Sequence, residues 1–147
     1  MNPSSASGNA SIQITPTSAR ASTLGAEQCF KGTVVVDLLF APNQHTAESG
    51  GLVTFTPGAR TAWHAHPVGQ TLVVTAGLGW LQAWGEERRE LKAGDVEWIP
   101  PGVKHWHGAS PTTAMTHIAI QEALDGKAVE WLEHVTDAQY LAGPPRG

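Results

Sequence analysis

Short apolar segments recur along the whole chain, separated by glycine, proline and polar residues, in a pattern typical of β-strands. The longest continuous apolar segment, Thr33–Phe40, predicts a strand that is buried on both faces. Further strands are predicted at Leu52–Thr56, Thr61–His66, Gln70–Ala76, Gly79–Trp84, Arg88–Leu91, Val96–Ile99, Lys104–Gly108 and Thr116–Gln121, with a short pairing segment at Ser11–Thr15. A helix is predicted only near the C-terminus, at Ala138–Leu141, with Thr136-Asp137 at its N-cap and Gly143-Pro144-Pro145 as its stop.

The predicted elements indicate an all-β fold in a single domain. Roughly nine short strands in one chain favour a closed barrel or a two-sheet sandwich, because open sheet edges must be removed or covered. The chain has 147 residues, which is enough for one ordinary core and too few for two. The Ser- and Ala-rich residues 1–22 predict a flexible N-terminal arm, and residues 23–147 form the predicted domain.

Composition and charge exclude several classes of partner. The net charge is −4 and basic residues do not cluster, so we expect no binding to nucleic acid. No apolar run approaches the roughly 18 residues of a membrane span, and the first residues do not follow the pattern of a secretory signal. A single cysteine, Cys29, cannot form an internal disulfide, and we expect a cytoplasmic protein.

Six tryptophans, few charges and the Thr33–Phe40 run predict a homo-oligomer, a dimer or a tetramer.

Candidate chemistry lies in two His-x-His pairs, His64/His66 and His105/His107. Residues i and i+2 of a strand face the same side, so each pair projects two imidazoles from one face. Glycine, glutamine and proline residues flank the two pairs. Gly58, Gln70 and Gly77 surround the first pair, and Gly94, Pro100 and Gly102 precede the second.

These two segments, residues 58–77 and 94–109, resemble the paired motifs of the cupin superfamily in spacing and in order. The resemblance implies a small double-sheet β-barrel of jelly-roll type with a metal ion inside. Carried over by position, the implied metal ligands are His64, His66, Gln70 and His105. The sequence departs from the usual motifs at Gln70, where an acidic ligand is common, and at Ala109, where asparagine is common.

The implied ligand set has a chemical consequence. Three neutral imidazoles and a carboxamide leave the charge of a divalent cation uncompensated, so the cation polarises a bound oxygen strongly. We therefore expect one divalent metal ion per chain acting as a Lewis acid. Ligand identity does not fix the metal, because imidazole suits zinc, iron, copper and nickel and the Gln70 oxygen admits manganese.

Strand parity adds further candidates inside the barrel. His107 shares its face with His105, and His117 and Gln121 share a face of the last predicted barrel strand. Non-ligand histidines near a metal suit proton transfer, because the imidazole pKa lies near neutral pH. A packing role is the alternative for His107 and His117. Thr61 faces the cavity only if its strand begins early.

A closer resemblance extends over roughly Gly32–Tyr140. The runs from Pro57 to Leu72, Lys104 to Ala109 and Pro111 to Gln121 are similar to the bacterial cupin hydroxynitrile lyases. Those manganese enzymes cleave or form (R)-cyanohydrins such as mandelonitrile, so the resemblance implies manganese, with iron, nickel, zinc or cobalt as alternatives. The resemblance implies a small-molecule substrate, a cyanohydrin or an aldehyde with cyanide. It also implies acid and base roles for His107 and His117 and places a third catalytic residue, Gln121, at the nitrile nitrogen. The implied substrate pocket contains Gly51 and Val53, with Thr61 as a further candidate.

Two other functions stay open at this point. Many cupins are metal-dependent oxygenases of small organic substrates, and oxygen uptake distinguishes them from a lyase. A non-catalytic, ligand-binding cupin is the third hypothesis.

Among the remaining aromatic and histidine residues, Trp63 and Trp106 are predicted to point out of the barrel. The others are assigned to core or interface (Trp80, Trp84, Trp98, Trp131) or to the surface (His45, His134).

Overall fold

A computed structural model describes residues 11–142 of the chain. Residues 1–10 of the predicted arm and the predicted helix stop at 143–145 lie outside the described residues. The strands are β1 (Ser22–Leu24), β2 (Phe30–Lys31), β3 (Val34–Phe40), β4 (Glu48–Phe55), β5 (Arg60–Thr61), β6 (His64–Ala65), β7 (Gln70–Ala83), β8 (Arg89–Lys92), β9 (Val96–Ile99), β10 (His105–Ala109), β11 (Met115–Glu122) and β12 (Glu130–Trp131). A 3-10 turn at Thr17–Ala19 and the helix α1 (Asp137–Leu141) complete the fold.

The strands form a curled antiparallel sheet with the order β1-β3-β4-β11-β7-β10-β5-β2. Strands β8 and β9 also pair with β7, and β6 pairs with both β10 and β12. The first part of β7 pairs with β11 and β9, and its second part pairs with β10 and β8. β7 therefore joins the two halves of the barrel, and the predicted all-β single-domain architecture with a short C-terminal helix is confirmed.

The long strand β7 differs from the prediction, which divided it into Gln70–Ala76 and Gly79–Trp84. Gly77 has φ +81°, and a Cβ atom at this position would collide with the backbone of Ala114. The glycine permits a close approach between strands and a local bend, so β7 continues from one half of the sheet into the other.

Three other predicted segments also differ. β3 is not buried on both faces. It lies next to the edge strand β1, and side chains at its C-terminal end are exposed to solvent, Leu38 to 57% and Phe40 to 42%. Ser11–Thr15 forms no strand. Thr61–His66 is interrupted between β5 and β6, because the backbone amides of Ala62 and Trp63 bond to the loop carbonyls of Cys29 and Glu133.

Helix α1 covers an aromatic cluster on the outside of the barrel. Trp63 and Trp106 pack there with Val135 and Tyr140, which confirms that both tryptophans point away from the interior. Thr136 and Gln139 form a capping box at the start of the helix. Within residues 11–142, no helix is long and apolar enough to span a membrane.

Candidate metal centre

Three buried histidines converge inside the barrel. His64 on β6 lies directly opposite His105 on β10 in the strand register, and His66 follows two residues after His64. Their ring centroids are 4.2 Å apart for His64 and His105 and 5.1 Å apart for His64 and His66. One nitrogen of each ring lies within 4.8 Å of the others, as a shared metal ion requires.

Backbone carbonyl groups fix the tautomer of each of these histidines. The Nδ1 atoms lie 2.8 to 2.9 Å from carbonyl oxygens, those of Ala62 for His64, Ala128 for His66 and Val103 for His105. A carbonyl oxygen can only accept, so each Nδ1 carries the proton and donates it. Each Nε2 is therefore left with a free electron pair for a cation.

Gln70 extends this donor set with an amide oxygen. The Oε1 of Gln70 and the Nε2 atoms of His66 and His105 are buried and have no hydrogen-bond partner among residues 11–142. Gln70 and His66 line the same cavity. Buried polar atoms are nearly always paired, and a divalent cation bound between these three atoms would satisfy them. The residues present therefore fit a metal ion.

Burial keeps the imidazoles neutral at physiological pH. Burial and the neighbouring His105 hold the pKa of His64 well below its usual value. Burial also lowers the pKa of His66 and lowers the pKa of His105 to about 4. Neutral rings are the form that binds metal, so no proton has to be displaced near neutral pH.

A second pair of histidines lies beside this cluster. His117 on β11 and His107 on β10 are connected by a hydrogen bond of 2.9 Å between Nε2 and Nδ1. Phe55 packs against both rings, at centroid distances of 5.3 and 5.9 Å. Burial lowers the pKa of His117 to about 4, and burial with the neighbouring His117 holds that of His107 well below normal. These pKa values lie below the near-neutral values expected from the sequence, because burial disfavours the charged ring. Two neutral imidazoles connected by one N–H···N hydrogen bond can accept a proton from a bound ligand and return it.

A cavity of about 230 Å³ opens onto both groups of histidines. This volume lies below the roughly 300–1,000 Å³ that is common for ligand sites and therefore suits a small organic molecule. The lining combines the histidines with apolar side chains. The apolar lining includes Phe30, Val36, Leu38, Val53, Phe55, Ala119, Val129 and Trp131.

Most of the predicted site residues meet at this cavity. Its lining includes His64, His66, Gln70, His107, His117, Gln121, Gly51, Val53 and Thr61. His105 belongs to the histidine cluster but borders a separate cleft with Glu86 and Arg89. Thr61 faces the cavity, and β5 begins one residue before the predicted strand, at Arg60. Thr61 is 2% exposed, and its Oγ1 accepts a hydrogen bond from the backbone amide of His107 at 3.2 Å.

Sequence reasoning missed several residues that line the cavity, among them Trp131 and Ser49. Trp131, predicted as a core or interface residue, lines it and lies 4.8 Å from His64 between ring centroids. The two-residue strand β12 gives no pattern from which this position can be predicted. Ser49 was missed because the prediction began the strand at Leu52, although Ser49 shares the parity of Gly51 and Val53. His45 and His134 are exposed, as predicted.

Comparison with known proteins agrees with this arrangement. The Cupin domain family model matches residues 51–120. The chain is 58% identical to the (R)-mandelonitrile lyase of Granulicella tundricola over 129 residues, which are 88% of this chain and 98% of that protein.

Solved structures show the same fold. A cupin-like protein of Thermotoga maritima is 41% identical with a TM-score of 0.78, over 83% of this chain and 92% of that one. The polyketide cyclase RemF of Streptomyces resistomycificus shares the fold alone, with a TM-score of 0.70 at 15% identity over 88% of this chain and 91% of that one. The motifs, the curled sheet, the histidine cluster and these similarities lead to one assignment. The chain belongs to the cupin superfamily.

Proposed function

We propose that this protein is a metal-dependent hydroxynitrile lyase that cleaves and forms (R)-cyanohydrins such as mandelonitrile. The observation that carries the proposal is a pair of hydrogen-bonded, non-ligand histidines, His107 and His117, next to a buried three-histidine cluster in one small cavity. The 58% identity to an (R)-mandelonitrile lyase supports the same chemistry.

The proposed metal ligands are His64, His66, Gln70 and His105. A divalent cation bound there supplies Lewis acidity, which lowers the pKa of a nearby hydroxyl group. We propose manganese, because a carboxamide oxygen suits this harder cation alongside imidazole. Iron, nickel, zinc and cobalt are the alternatives that metal analysis would identify.

The remaining residues move the proton and orient the substrate. The His107–His117 pair accepts the proton of the cyanohydrin hydroxyl group. The bond between the carbinol carbon and the nitrile carbon then breaks, its electron pair leaves with cyanide, and an aldehyde remains. The pair returns the proton to cyanide as HCN. Gln121 orients the nitrile nitrogen, and Gly51, Val53 and Thr61 shape the pocket for the organic group.

One experiment tests the activity against the other cupin functions. Purified protein is analysed for metals and assayed for cyanide release from racemic mandelonitrile under anaerobic conditions, with and without a chelator. We expect cyanide and benzaldehyde in equal amounts, and loss of activity on chelation that added Mn²⁺ restores. Turnover that requires oxygen would favour an oxygenase, and ligand binding without turnover would favour a non-catalytic cupin. Either result would contradict the lyase assignment.

We also propose that the chain associates with a second copy of itself, as a dimer or tetramer. Leu52, Ile118 and Val73 lie side by side on the outer sheet face, and each is only partly buried. Val96 continues the same row and is 66% exposed, and Trp98 beside it is 61% exposed. A continuous apolar row of this kind is typical of subunit interfaces. The cytoplasmic setting stays a prediction based on the single cysteine.

A further inference from the structure

Three polar side chains form a row across the inner face of the barrel. Gln121 on β11 lies opposite Ser49 on β4 on one side and opposite Gln70 on β7 on the other. Side chains directly opposite each other on one face are close enough to interact. The row is therefore a consequence of the register of three neighbouring strands.

Hydrogen bonds connect the row from one end to the other. The Nε2 of Gln121 donates to Ser49, at 2.8 Å to the hydroxyl Oγ and 3.3 Å to the backbone carbonyl oxygen. The Oε1 of Gln121 accepts from the Nε2 of Gln70 at 3.0 Å. The Oε1 of Gln70, at the end of the row, is buried without a partner among the described residues.

The backbone carbonyl of Ser49 gives this row a direction. A carbonyl oxygen only accepts, so the amide of Gln121 must present its NH₂ group to Ser49 and its oxygen to Gln70. Gln70 must then present its NH₂ group to Gln121, which leaves its oxygen free. A reversed Gln70 amide would place N–H groups, and partial positive charge, at the proposed metal position.

We infer that Ser49 and Gln121 are positioning residues that hold the Gln70 amide with its oxygen free to bind a cation. This inference rests on the proposed role of Gln70 as a metal ligand. Both polar atoms of the Gln121 amide are engaged in this row, so the proposed contact with the nitrile nitrogen requires one N–H group to turn away from the Ser49 backbone carbonyl. The inference also assigns a function to Ser49, which the sequence motifs do not include.

Affinity for Mn²⁺ tests the inference without a measurement of turnover. Metal-free protein is titrated with MnCl₂, and free Mn²⁺ is followed by its electron paramagnetic resonance signal. Loss of a residue that orients a metal ligand typically weakens metal binding 10–100-fold. We expect Gln121→Met to raise the Kd of Mn²⁺ about 10-fold, because methionine fills similar space without an acceptor for Gln70.

Conservative substitutions separate orientation from packing. In Gln121→Glu the carboxylate still accepts from the Nε2 of Gln70 and from the Ser49 hydroxyl, but it has no N–H group for the Ser49 backbone carbonyl. We therefore expect weaker Mn²⁺ binding than in the wild type and tighter binding than in Gln121→Met. Ser49→Ala should weaken binding less than Gln121→Met, because the backbone carbonyl remains. Ser49→Thr, which keeps the hydroxyl group, should bind Mn²⁺ about as tightly as the wild type. Melting temperatures of the metal-free variants check that each protein is folded.

Gln70→Ala separates failure of this inference from failure of the proposed ligand set. If Gln70→Ala weakens Mn²⁺ binding and Gln121→Met does not, Gln70 is a ligand and the positioning role is wrong. The positioning role is also wrong if Gln121→Glu weakens binding as much as Gln121→Met. If Gln70→Ala leaves the affinity unchanged, Gln70 is not a ligand and both proposals about it are overturned.

Discussion

The hydrogen bond between His107 and His117 predicts that the two residues act as one unit. We consider His107→Ala, His117→Ala and the double variant, with His45→Ala as a control at an exposed histidine. General acid–base catalysis typically contributes about 100- to 10,000-fold to the rate. Each single variant should therefore lower kcat by about this factor, equal to about 3 to 5 kcal/mol of activation free energy.

The structure also predicts how the losses combine. His117 is fully buried and His107 is 4% exposed, so removing one ring leaves the facing nitrogen of the other unpaired. An unpaired buried polar group costs about 1 to 3 kcal/mol of folding stability. It also leaves the remaining imidazole without the partner that orients it. The double variant should consequently lose no more kcat than the more damaged single variant, as residues that act as a unit do.

Cyanide release from mandelonitrile measures kcat, and elemental analysis measures bound metal. Metal content should stay at the wild-type level in all variants, because neither ring belongs to the three-histidine cluster. Two independent, multiplicative losses would refute the shared-proton reasoning. Full activity in both single variants would refute the acid and base roles.

Three further predictions concern the pocket, the pH dependence of stability and assembly. In Gly51→Val the new Cβ has its nearest neighbour, the carbonyl oxygen of Asp37, at an ordinary 3.7 Å. The protein should therefore fold, while KM rises more for mandelonitrile than for the cyanohydrin of acetaldehyde; equal changes would contradict a pocket role. Burial, and then Asp95, raises the pKa of Glu97 to about 7. The folded state then binds more protons than the unfolded state between about pH 4.5 and 7, and stability falls as pH rises through this range. Glu97→Gln should raise the melting temperature at pH 8 and leave it unchanged at pH 4. An unchanged melting temperature at pH 8 would refute the raised pKa of Glu97. Trp98→Glu should reduce the mass measured by light scattering, and an unchanged oligomeric mass would exclude this face as the interface.

The sequence by itself determined the fold class, the similarity to cupin hydroxynitrile lyases, and which side chains share a face of a strand. These properties are local, because residues i and i+2 on a strand face the same side wherever the strand lies. The parity of His64 with His66, and of His117 with Gln121, therefore carried directly into the structure. The 58% identity to an (R)-mandelonitrile lyase confirms the family resemblance that the motifs indicated.

Only the tertiary structure decided which of these faces meet. The pairing of His64 with His105 and the Ser49–Gln121–Gln70 row depend on the register between strands that are far apart in the chain. That register is set by packing and hydrogen bonding over the whole barrel rather than by any local pattern. The contact of Trp131 with His64 has the same origin, because β12 is two residues long and is placed only by its pairing with β6.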